Sequence, residues 1–198
     1  MRKFLCFLAF AALCAASSLA QQTPKAELSV DAAFNRFETP PGYYLNQYGG
    51  ALSANYTVFR WLSAKFELSG EYGHRALVGS TITPEALVGP QFFPFHHHKI
   101  TPWGEFLFGE GYYLNQIPPF GGFPSQTIHG FSFAYEAGMG LDWKIKSHWD
   151  VRPLEFDYLS YKFFPGAPNQ ARQAKYRVQA GVVYRIGRGK SAHFHFHL

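Results

Sequence analysis

Between positions 131 and 144 apolar and polar residues alternate without a break. Phe131, Phe133, Tyr135, Ala137, Met139, Leu141 and Trp143 fall on one side of an extended chain. Ser132, Ala134, Glu136, Gly138, Gly140, Asp142 and Lys144 fall on the other. The same period of two sets Leu62, Ala64, Phe66, Leu68, Gly70 and Tyr72 against Ser63, Lys65, Glu67, Ser69 and Glu71. It also sets Tyr176, Val178, Ala180, Val182, Tyr184 and Ile186 against Arg177, Gln179, Gly181, Val183 and Arg185. Side chains alternate between the faces of a strand, so this pattern reads as half-buried β-structure. No stretch sustains the i, i+3, i+4, i+7 spacing of an amphipathic helix. Extending the reading predicts eight strands, over 27–37, 49–59, 62–73, 81–92, 100–112, 128–144, 149–161 and 175–187. The parity slips at Pro153-Leu154, where proline cannot donate to a ladder, and a β-bulge is expected there.

Before these strands lies a different kind of segment. Met1-Arg2-Lys3 is basic, residues 4–16 are apolar, and Ser18-Leu19-Ala20 supplies the small residues of a cleavage site. Residues 1–20 thus read as a secretory signal peptide, cleaved after Ala20; the apolar run is short for a membrane anchor. Both cysteines, Cys6 and Cys14, fall inside it. The exported chain then has no disulfide and no thiol nucleophile. Without Arg2 and Lys3, 16 basic residues stand against 13 acidic ones, a net charge of +3. That balance is too mild and too scattered for nucleic acid. The remaining organisation is one barrel over 21–187 and a short basic, His-rich periplasmic tail over 188–198.

Alternation alone does not say whether the apolar face looks into a core or out into lipid. Three features favour lipid. Most strands have ten or more residues, as a tilted bilayer crossing needs. The polar face is crowded with Gly, Ser and charge. The apolar face carries aromatics near its ends, at Tyr72, Phe92, Phe131, Trp143, Tyr176 and Tyr184, in the manner of interfacial girdles. Connections over 38–48, 74–80, 113–127 and 162–174 are longer than those over 60–61 and 145–148, as expected of outer loops and periplasmic turns. The aromatic content, 19%, and the low charged fraction, 16%, agree with this. The fold expected is all-β, an eight-stranded antiparallel up-and-down transmembrane β-barrel. A soluble exported ligand-binding barrel is the alternative of the same period.

Several segments carry a family resemblance. Gly89-Pro90-Gln91 with Thr101-Pro102-Trp103-Gly104-Glu105-Phe106-Leu107-Phe108-Gly109 resembles the middle strands of OmpA-like outer-membrane β-barrels of the opacity or surface-antigen type. So does Arg152-Pro153 followed by Asp157-Tyr158-Leu159. Asn169-Gln170, then Tyr176-Arg177 and residues 180–187, resemble that family's last strand. The resemblance implies an outer-membrane location, lipid contact and delivery by the barrel-assembly machinery. Gln179, Gly181, Tyr184 and Ile186 resemble the signal that machinery reads. The chain departs from the family in two ways. It has no periplasmic peptidoglycan-binding domain after the barrel, and it continues past the last strand to Leu198.

Candidate chemistry lies on the polar face. Lys65, Glu67, Glu105, Glu136, Asp142, Arg152, Asp157, Arg177 and Arg185 are expected to form an interior ion-pair network, joined by Asp31, Glu71, Glu85, Lys144 and Glu155. Charges in a narrow lumen must pair or meet water. His129 and Ser132, three apart on a strand, point to opposite faces, so they make no Ser-His pair for a lipid A-modifying enzyme. His96-His97-His98 and the alternating His193, His195 and His197 have no carboxylate or Cys beside them to close a metal shell. No catalytic, cofactor or metal residue is assigned. Loop aromatics Tyr43, Tyr44, Tyr48, Phe120 and Phe123 suit contact with an extracellular protein or glycan, or fold over the barrel mouth. The function expected is that of a monomeric, non-catalytic outer-membrane barrel, structural or surface-interacting. The alternatives are a lipid A-modifying barrel enzyme and the soluble ligand binder.

Overall fold

The computed structural model describes residues 24–39, 43–75, 79–94, 99–119, 124–161 and 173–188. The signal segment, the tail beyond Arg188, His96-His97-His98, Phe120 and Phe123 lie outside them. Eight strands follow one another: β1 Pro24–Thr39, β2 Tyr43–Phe59, β3 Leu62–Arg75, β4 Gly79–Phe92, β5 Ile100–Ile117, β6 Gln126–Lys144, β7 Trp149–Tyr161 and β8 Gln173–Arg188. Each pairs antiparallel with its chain neighbour, and β1 pairs with β8 to close the barrel. Closure leaves no open sheet edge around the wall, which is what lets a sheet cross a bilayer.

The wall is inverted relative to a water-soluble core. Leu52, Phe66, Leu68, Phe106, Met139, Val178 and Val182 are exposed on its outside, while Lys65, Glu67, Glu136, Arg152 and Arg177 are buried within it. The expected girdle residues Tyr72, Phe92, Phe131, Trp143, Tyr176 and Tyr184 all face outward. They belong to two aromatic belts. At the end bearing the 60–61 and 145–148 turns, Trp61 stacks between Phe59 and Phe92 at 6.0 and 6.2 Å, and Trp149 lies 4.9 Å from Tyr184. At the other end Phe34 meets Tyr48 at 5.1 Å, and Tyr112 meets Phe131 at 4.6 Å.

The bulge falls where the parity slips. Arg152 pairs with Gly181 and Glu155 with Gln179, so Pro153 and Leu154 together oppose one residue of β8. Both bulge residues are exposed, and Arg152 and Glu155, three apart, both turn inward. Two expectations need correction. The connections 38–48 and 113–127 are mostly strand, because β1 runs to Thr39, β2 begins at Tyr43, and β5 and β6 extend to Ile117 and from Gln126. Beyond the upper belt the outward positions become polar (Asn46, Gln116, Thr127), so the ladder continues while the hydrophobic alternation stops. The gaps 40–42 and 76–78 are consequently as short as the turns at the opposite end. Lys144, expected on the interior face, is exposed at the end of β6.

Candidate functional site: the charged lumen

Among the described residues, eleven buried carboxylates face four fully buried cations, Lys65, Arg152, Lys175 and Arg177. Arg185, at the lower rim, pairs with Glu27 at 3.2 Å and with Asp150. Alternation brings these groups inside from every strand, and the pairs they form cross the lumen rather than follow the wall.

Arg177 of β8 is the hub. Its Nε donates to Asp157 Oδ2 at 3.0 Å, and Nη2 donates to Glu67 Oε1 at 2.6 Å and Glu136 Oε2 at 2.7 Å. Nη1 donates to Ser69 Oγ at 3.0 Å. One guanidinium thus joins β3, β6, β7 and β8, a use suited to its planar fork of five donors. Lys65 of β3 sits 2.8 Å from both Glu67 and Glu105 and 3.1 Å from Glu155. Arg152 reaches Asp142 at 2.8 Å and Glu155 at 3.0 Å, the second contact made possible by the bulge. Trp103 lies under this layer, its ring 4.6 Å from the Arg152 guanidinium and 5.4 Å from Lys65 Nζ. Above, Lys175 bonds Glu71 at 2.8 Å and also Glu85, which accepts from the Tyr161 hydroxyl. Phe37 packs against Tyr113 and Tyr161 at 6.0 and 6.2 Å, nearer the upper end.

All nine residues expected in the interior network face the lumen, and ion pairs join them in two groups, one running from Arg177 and Lys65 through Glu155 to Arg152 and one around Arg185. Lys175 was missed, although its parity with Arg177 gave the signal. Glu27 and Asp150 were also missed; they lie near strand ends, where alternation is hardest to read. Of the four residues resembling an assembly signal, Gln179 is buried, Gly181 is half-buried, and Tyr184 and Ile186 face outward. His129 is exposed and Ser132 buried, so the structure does not bring them together.

Glu67, Glu105, Glu136 and Glu155 place one oxygen each within 4.8 Å of one another, a spacing a metal ion could use. The chain's own cations already fill that role. Lys65 bonds three of these glutamates, and Arg177 bonds Glu67 and Glu136. The arrangement therefore braces opposite walls.

No family model and no curated protein matches the chain. Among solved structures it is similar to Neisserial surface protein A, with a TM-score of 0.65 at 10% identity over 84% of this chain and 100% of that one. It is also similar to Ail, the attachment invasion locus protein of Yersinia pestis, with a TM-score of 0.58 at 17% identity over 81% and 99% of the two chains. Ail in complex with the heparin analogue sucrose octasulfate matches at 0.53, again at 17% identity, over 80% and 97%. At these identities the likeness is one of fold, the eight-stranded transmembrane barrel that the resemblance implied.

Proposed function

We propose that this chain is a small integral outer-membrane β-barrel protein, exported by a signal peptide over 1–20, that acts at the cell surface by structure and contact rather than by catalysis. The observation that carries the location is the inverted wall, with large apolar side chains outside and charge inside. In water the outside would be an apolar patch far beyond the few hundred Å² that monomers tolerate. A soluble ligand-binding barrel needs the opposite orientation. Gln179, Gly181, Tyr184 and Ile186 are the proposed signal to the barrel-assembly machinery.

The surface role draws on the upper end. There Arg36 lies 4.4 Å over the ring of the exposed Tyr44, and both stand further up their strands than the belt residues Phe34 and Tyr48. Aromatic and guanidinium groups of this kind suit a protein or sulfated-glycan partner. Solid-phase binding of detergent-refolded protein to heparin and to matrix proteins tests this. Retention that falls with Arg36→Gln and Tyr44→Ser supports the reading, and absence of any retention opposes it. Lipid A from cells making the barrel should keep its mass; a changed mass would establish the enzymatic alternative.

A further inference from the structure

We infer that the rim formed by Lys99 and the β6–β7 turn binds the phosphate headgroups of anionic phospholipids in the inner, periplasmic leaflet. The inference rests on the membrane reading above and adds a lipid class, a leaflet and named residues to it.

Charge is sorted by face in this barrel. Among the residues whose side chains are described, Glu110 is the sole carboxylate exposed on the outer wall; the others are drawn inside. Exposed lysines gather instead at the rim where β1 begins and β8 ends, the periplasmic end of a barrel with an even number of strands. Lys144 donates its backbone N–H to the Lys99 carbonyl at 2.9 Å, so these two residues lie side by side. Lys146 is fixed on the same turn by its backbone N–H to the Trp149 carbonyl at 3.0 Å. None of the three lysines pairs with a described carboxylate. The nearest in register, Asp150 opposite Lys144, is buried and engaged by Arg185.

The same few residues carry the apolar half of a lipid site. Ile100, Trp143, Ile145 and Trp149 are exposed beside the lysines. Indoles sit at the headgroup boundary, and lysine stems lie along apolar surface while the ammonium reaches outward to the phosphates. A lysine cluster without an ion-pair partner among the described carboxylates favours a monoanionic headgroup over a zwitterionic one, by about five-fold for each lysine–phosphate contact.

Tryptophan quenching tests this. The full mature chain carrying Trp61→Phe leaves Trp143 and Trp149 as the outward indoles, with Trp103 in the lumen. It is refolded into phosphatidylcholine vesicles containing one-tenth brominated phosphatidylglycerol or, separately, one-tenth brominated phosphatidylcholine. The anionic quencher should be the stronger one at low salt, and its excess should fade in 1 M salt. Lys99→Gln/Lys144→Gln/Lys146→Gln should abolish the excess, while Arg36→Gln at the opposite rim should keep it. Equal quenching by the two lipids, or an excess that survives in salt or in the triple variant, overturns the inference. Protein that never inserts, seen by an unshifted unboiled gel band, would instead overturn the membrane reading beneath it.

Discussion

Arg177→Met is the sharpest probe of the lumen. The guanidinium is fully buried and holds Glu67, Glu136 and Asp157 within 3.0 Å, with Glu85 and Glu71 at 3.5 and 3.6 Å. Methionine fills much of the volume and removes the charge. Glu136 and Asp157 then lose their cation and Glu67 is left with Lys65, in a lumen where, among the described residues, buried acids already outnumber bases. Breaking a buried pair from one side costs about 3–5 kcal/mol. With a urea slope of about 2 kcal/mol/M, the midpoint should fall by about 1.5–2.5 M. The assay is a urea titration of detergent-refolded protein, scored by the folded band on an unboiled gel. Acid buffer, which neutralises carboxylates, should shrink the loss. Arg177→Lys should fall between, because an ammonium keeps the charge without the fork. Adding Glu67→Gln and Glu136→Gln to Arg177→Met should restore part of the midpoint. A midpoint within about 0.3 M of the unaltered protein, or no recovery in the combined variant, refutes the bracing role.

Other outcomes follow from the same geometry. Leu52→Arg, midway between the belt residues Tyr48 and Tyr56, should cost about 2–4 kcal/mol, whereas Leu141→Arg beside Trp143 should cost about 0–1, as unfolding midpoints in bilayers would report. Ser53→Ala on the inner face, which removes one hydroxyl contact to Ser29 at 2.7 Å, should cost about 1 kcal/mol by the same measurement. Gly140→Ala drives a methyl into the Trp103 ring, so the indole must leave Arg152; a loss of about 1–3 kcal/mol and a changed near-ultraviolet signal are expected. Changing Tyr184 and Ile186 together to Ser should leave signal-cleaved protein in the periplasm. Normal refolding of that variant in detergent would mark a recognition defect, and failure there a loss of stability.

Strand number, facing and the bulge were legible in the sequence because each depends only on residue parity. Leu62 to Tyr72 alternates cleanly, and Pro153-Leu154 interrupts one parity run. Strand ends were less legible. Asn46 and Gln116 continue the ladder above the upper belt but carry no hydrophobic signal. Partners across the lumen were not legible at all. Lys65 meets Glu155 90 positions away, and Lys175 meets Glu71 104 away. These pairings follow from barrel closure and strand stagger, which no local pattern encodes.

The most direct test of the inverted wall is membrane fractionation of cells making the full precursor, read on boiled and unboiled gels. The account predicts signal-cleaved protein in the outer-membrane fraction, resistant to extraction by salt, whose unboiled band migrates differently from the boiled one. Recovery as a detergent-free soluble monomer with no such shift would contradict it.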